Sequence, residues 1–187
     1  MRGDEFMKSF TNSYMGRAID FDGAWDVQCV DGAKIGMMLL GCKNPPATGM
    51  NAAYGYWYNY ESIPYLRDNY TRIYNLNDVQ VGDMLIFSTP AGTGHVSWCA
   101  EGGMSFGQNQ NGANDGFTLK PISNWTFLGA LRFNGFDGVS QPVSGLNGED
   151  MNYQYEETDK ENFENQIVNK ISKKPIYYRK PYIYLKD

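Results

Sequence analysis

The chain has 187 residues, 42% of them hydrophobic and 20% charged, with a net charge of −5 at pH 7 and a pI near 4.9. That length suits one domain with a proper core plus a small appendage, and two full domains would be cramped. The acidic balance argues against nucleic acid as the main partner, because phosphate binding needs a positive field, and no run approaches the roughly 20 apolar residues of a membrane span.

The predicted elements follow in chain order. Phe6, Phe10 and Tyr14 are spaced as on one face of a helix, which predicts a first helix over 4–17. After an Asp-rich stretch at 20–26, Val30, Ala33, Met37 and Leu40 predict a second helix from Gln28 to Leu40, with Gly41 as its stop. Residues 44–76 read as a loop entered through Asn44, Pro45 and Pro46, followed by an aromatic-rich stretch around Trp57. Beyond the turn signal Gly82-Asp83, strands are predicted at Met84–Phe87, His95–Ala100, 103–108, 117–121 and 125–132. Helices first and strands afterwards make an α+β fold. Residues 138–148 (GVSQPVSGLNG) read as a linker. In the tail, 149–164 carries seven acids against Lys160, and 170–187 carries six basic residues against Asp187. This tail, 149–187, is either a wall-binding or oligomerisation element or a solvated acidic face followed by a basic extension.

The chemistry-bearing residues are few. The three cysteines, Cys29, Cys42 and Cys99, fit neither a disulfide framework nor a paired-cysteine zinc site, and one histidine leaves tetrahedral zinc short of ligands. Cys29 falls in the first turn of the second helix, where the helix N-terminus favours a thiolate; the alternative is a small buried core residue. His95 opens a strand directly after the Gly-rich turn at 92–94, a position for a base or for a structural imidazole. A cysteine opening a helix and a histidine on a later strand is the layout of papain-like hydrolases. Cys42 and Cys99 read as packing residues.

Four segments, Gln28–Asp31, Val81–Phe87, Gly94–Val96 and Phe106–Asn109, resemble in order and spacing the CHAP family, the cysteine, histidine-dependent amidohydrolases/peptidases of phage endolysins and bacterial cell-wall hydrolases. The resemblance covers roughly residues 4 to 136. It implies a papain-like fold with N-terminal helices packed on an antiparallel sheet, in a catalytic domain spanning 1–137. It also implies a peptidoglycan amidase or endopeptidase in which Cys29 attacks the amide, His95 moves the proton and Asn109 orients the imidazole. The backbone N–H of Cys29, with the Gln28 side chain, is the expected oxyanion site. One departure stands out: the family often carries an acid two positions before that Asn, and here the position is Gly107.

The acids Asp20, Asp22, Asp26 and Asp31 enter the second helix at close spacing, resembling the first half of an EF-hand loop; the alternative is helix capping. The resemblance adds that some family members bind Ca²⁺ just before the catalytic cysteine, at positions matched by Asp20, Asp22, Asp26 and Asp31, with Ala24 supplying a backbone carbonyl. The expected partner is therefore peptidoglycan, of Gram-positive type, with structural Ca²⁺ and no nucleic acid. The opening residues (MRGDEF) show no basic region followed by an apolar core, so the expected route is holin-type release from the host cytoplasm or carriage in a virion. The competing expectation is a non-catalytic wall-binding or virion protein that keeps the fold.

Overall fold

The computed structural model describes residues 1–122 and 125–138, so the predicted tail and nearly all of the predicted linker lie outside the described residues. The first helix, α1 (Gly3–Tyr14), buries Phe6 and Phe10, and the second, α2 (Cys29–Leu39), buries every residue from Asp31 to Met37. The helix α1 ends earlier than predicted. Gly16 takes a left-handed φ of 74°, and its N–H donates to the Phe117 carbonyl, tying the chain to a distant strand. Gly41 stops α2 as expected. It sits at φ 93° while its N–H reaches Met38 O and the Cys42 N–H reaches Met37 O, the paired bonds that close a helix on a glycine.

Residues 44–76 are more structured than the sequence suggested. They form two short helices, α3 (Gly55–Tyr58) and α4 (Pro64–Asn69), and a strand, β1 (Tyr70–Ile73). The remaining strands are β2 (Met84–Ser88), β3 (His95–Ala100), β4 (Met104–Gly107), β5 (Thr118–Pro121) and β6 (Thr126–Phe133). They pair as one antiparallel six-stranded sheet in the order β1-β6-β2-β3-β4-β5. The coarse α+β expectation holds: α1 to α4 precede all six strands, and β1, from the stretch read as a loop, pairs with the last strand.

The helices reach the sheet on one face, and glycines set how close they come. A Cβ at Gly36 would lie 2.4 Å from the Trp98 ring, and one at Gly129 of β6 would lie 2.2 Å from the Trp57 ring. Neither position tolerates a side chain without displacing an indole. Trp98 is fully buried, with Phe6 and Phe10 edge-on to it at 5.2 and 6.2 Å. Burying each such aromatic is worth about 1.5–3 kcal/mol, so this cluster fixes α1 and α2 over β3. The chain returns to the same place at Phe136, whose ring lies 5.8 Å from Phe6.

The turn before β2 is held by a buried ion pair. Asp83, 1% exposed, accepts from Arg132 Nε at 2.9 Å and from its terminal nitrogen at 2.8 Å, and also from the Gln80 N–H at 2.8 Å. Burial pushes the Asp83 carboxyl up, and Arg132 opposes that rise. The Gly82-Asp83 turn signal is thus also a bolt between β2 and β6.

Candidate active site

Cys29 is the first residue of α2, and the chain reaches it in extended form at Gln28. The Asp31 carboxylate accepts the Gln28 N–H at 2.8 Å, the reciprocal half of a capping box. Against the other side lies the start of β3. The ladder between β3 and β4 begins only at Trp98↔Phe106, so the first residues of β3 lack a strand partner there. The Val96 N–H and the N–H groups of the first turn of α2 favour the Cys29 thiolate. Part of the residue stays in contact with solvent, yet burial around the sulfur pushes the thiol up, outweighing these backbone donors. At rest Cys29 is a thiol. The other two cysteines are packing residues, as expected: Cys42 is 5% exposed and Cys99 is fully buried, its thiol raised by burial.

His95 follows a turn in which Gly92 and Gly94 both have left-handed φ, 75° and 69°. A Cβ at Gly94 would meet the Phe87 carbonyl and the Tyr54 ring at 2.8 Å, so only glycine lets the chain turn into β3 here. In the sheet His95 stands opposite Phe87, and its ring lies 5.0 Å from Trp125. Burial pushes the imidazole down to about 4, and the charge of Lys120 adds to that. The ring is therefore neutral at neutral pH, a proton acceptor. The Val96 N–H that acts on the Cys29 thiol belongs to the residue after His95.

The third expected residue is not engaged with the ring. Asn109, at φ 55°, donates its side-chain amide to Val27 O at 2.5 Å and accepts the Asp115 N–H at 3.1 Å. The His95 Nε2 atom is buried without a hydrogen-bond partner among the described residues. Asn109 staples the 109–115 loop to the segment entering α2. Its neighbour Gln108, fully buried, completes the staple, accepting from Ile19 N at 2.7 Å and donating to Ile19 O and Gln28 O at 3.0 and 3.1 Å. In the sequence Gln108 stands out only as part of the Phe106–Asn109 segment. Its signal was a polar residue at the helix-facing parity of Phe106. The Gln28 side chain, expected near the oxyanion, donates instead to Trp25 O at 3.2 Å.

In the acidic loop, ligand oxygens of Asp20, Asp22 and Asp31 lie within 4.8 Å of one another, an all-oxygen donor set suited to a hard cation. Asp26 does not join this group. It follows Trp25, and both take left-handed φ, 58° and 67°, in an exposed bend. Ala24 donates its N–H to Asp22 at 3.1 Å. The sequence reading overlooked Lys34, whose buried ammonium pairs with Asp22 and holds that carboxyl below its usual range. A lone lysine in the apolar stretch of α2, three residues after Asp31, was the available signal. Burial raises the Asp31 carboxyl, and the nearby Asp22 adds to the rise.

The aromatic-rich stretch around Trp57 is mostly core. Tyr56 is fully buried with its hydroxyl on Pro46 O at 2.8 Å, Tyr60 donates to Tyr70 O at 2.5 Å, and Trp57 lies under Arg72 at 4.7 Å. Tyr58, 61% exposed, is the member that reaches solvent most fully. No helix among the described residues is long and apolar enough to cross a membrane. No protein-family model matches the chain, and no curated protein matches it either.

Proposed function

We propose that this protein is a cysteine-dependent peptidoglycan hydrolase, an N-acetylmuramoyl-L-alanine amidase or peptide-bridge endopeptidase, acting as a phage endolysin or virion-associated lysin. The observation that carries this reading is the place of Cys29 at the start of α2, its thiol acted on by the N–H of Val96, the residue after the chain's single histidine. The arrangement of helices on one face of an antiparallel sheet is compatible with the CHAP resemblance.

The chemistry follows from the resting protonation states. Neutral His95 takes the proton from Cys29 as the sulfur adds to the amide carbonyl carbon, so proton transfer accompanies attack. Backbone N–H groups at the start of α2 are the donors for the oxyanion. The C–N bond then breaks, the imidazolium gives its proton to the departing amine, and a thioester remains on Cys29. A water molecule, deprotonated by His95, adds to the thioester, and the C–S bond breaks to release a carboxylate and restore the thiol. Asp20, Asp22 and Asp31, with the Ala24 carbonyl, would hold Ca²⁺, which supplies order to the loop entering α2 and no step of the hydrolysis.

A second reading has its own support. His95 is buried beside Trp125, position 107 carries no acid and Asn109 is bonded elsewhere, which favours a non-catalytic wall-binding or structural virion protein. Clearing of a suspension of Gram-positive walls separates the two. Clearing by the wild type and not by Cys29→Ser supports the hydrolase; co-sedimentation with walls that stay turbid supports the binding protein.

A further inference from the structure

Ser97 stands two residues after His95 in β3, so both side chains leave the same face of the sheet, opposite the face where Trp98 meets α2. Both are buried, His95 at 4% exposure and Ser97 at 1%. Each presents one atom, Nε2 of His95 and Oγ of Ser97, with no hydrogen-bond partner among the described residues. Buried polar atoms are rarely left unpaired, and a pair too far apart for a direct bond is commonly joined by one internal water. Successive same-face positions on a strand lie about 7 Å apart, a span that an imidazole and one water cover. Gly107 lies against Ser97, and a Cβ there would come within 3.0 Å of the Ser97 Cβ. Glycine at 107 lets β4 approach Ser97 this closely.

We propose that Ser97 is a positioning residue for His95, its hydroxyl accepting the Nε2–H of the imidazole through one buried water beside Gly107. The hydrogen bond at one ring nitrogen selects the tautomer. With the proton fixed on Nε2, Nδ1 is left as the lone pair that takes the Cys29 proton. This inference rests on the proposed use of His95 as the base, and it assigns to a serine the orienting role that Asn109 does not fill. Burial and the charge of Lys120 of β5 disfavour the imidazolium and leave the neutral tautomers to be sorted by hydrogen bonding.

The test exploits the single histidine of the chain. Nitrogen NMR of ¹⁵N-histidine-labelled full-length protein at neutral pH reads one imidazole, in the resting state and without substrate. The expected wild-type spectrum is that of the Nε2–H tautomer. Ser97→Ala is expected to shift it towards the Nδ1–H form, while Thr89→Val, which removes another buried unpartnered hydroxyl at the end of β2, leaves it unchanged. A wild-type proton on Nδ1, or a Ser97→Ala spectrum identical to wild type, overturns the proposal. Failure of the hydrolase reading is seen separately, as wild type that does not cleave walls. In protein that does cleave, Ser97→Ala is expected to lower kcat by about 10-fold to 100-fold, by analogy with the loss of an orienting partner of a metal-ligating histidine, with KM unchanged.

Discussion

On one face of β3, Trp98 lies so close to Gly36 that no side chain fits between strand and helix. On the other face, two residues to either side of Ser97, stand His95 with an unpartnered nitrogen and Cys99 beside the Asp83–Arg132 pair. Both faces are buried along the whole strand. The first is buried by shape, with apolar rings against glycine. The second is buried with polar groups that must each find a partner, and such groups are costly unless a partner is found. The difference teaches where to look for function: a strand that only held the sheet together would have no use for an imidazole and a hydroxyl on its second face.

The largest effects are expected where either face is broken outright. Trp98→Ala should cost about 3–5 kcal/mol in urea denaturation, the range for removing a large aromatic from a close-packed core. Asp83→Ala should cost a comparable amount, about 3–5 kcal/mol, because it leaves the Arg132 guanidinium without its buried partner. If Asp83→Ala unfolds at the wild-type midpoint, the second face is not held by that pair.

The next effect concerns pH. The imidazole of His95 binds its proton at about 4 in the folded protein against 6.5 in the open chain. Between those values the unfolded chain holds the extra proton, so stability is fully present above pH 6.5 and is lost as pH falls towards 4. The gap corresponds to about 3 kcal/mol. Subtracting the stability profile of His95→Gln from that of the wild type should isolate this slope, and a flat difference would place the ring in water.

Smaller still is the effect of calcium. At about 100 times its Kd, Ca²⁺ should raise the stability by about 2.7 kcal/mol, seen as a higher melting midpoint that Asp20→Asn abolishes. Lys34→Met, which removes the ammonium from Asp22, should strengthen that calcium effect. An unchanged midpoint in millimolar calcium would make Lys34 the loop's own cation.

How much of this was legible depended on whether a residue's partner was local. The spacing of Phe6 and Phe10, the stop at Gly41 and the apolar run Met84–Phe87 each carry their structure within a few positions, and each appears where expected. The strand β1 did not, because Thr71 and Arg72 look like surface residues until β6 arrives to pair with them. Asn109 and Gln108 were visible as a motif, but their bonding is set by Val27, Ile19 and Asp115, which only folding brings near. Asp31 read as a ligand, and it both caps α2 and lies close to Asp20 and Asp22. The aromatic stretch at 54–60 was ambiguous for a different reason. Composition does not say which side of a short helix is inside, and Gly129, far along the chain, decides it for Trp57.

The central claim is that Cys29 cleaves an amide bond in peptidoglycan. It is tested most directly by incubating purified peptidoglycan with wild type and with Cys29→Ser, each in calcium and in chelator, and measuring released amines and new reducing ends. The account predicts amine release without new reducing ends, abolished in Cys29→Ser and weakened by chelator. Amine release that survives in Cys29→Ser, or none from wild type on walls of several Gram-positive species, would contradict it.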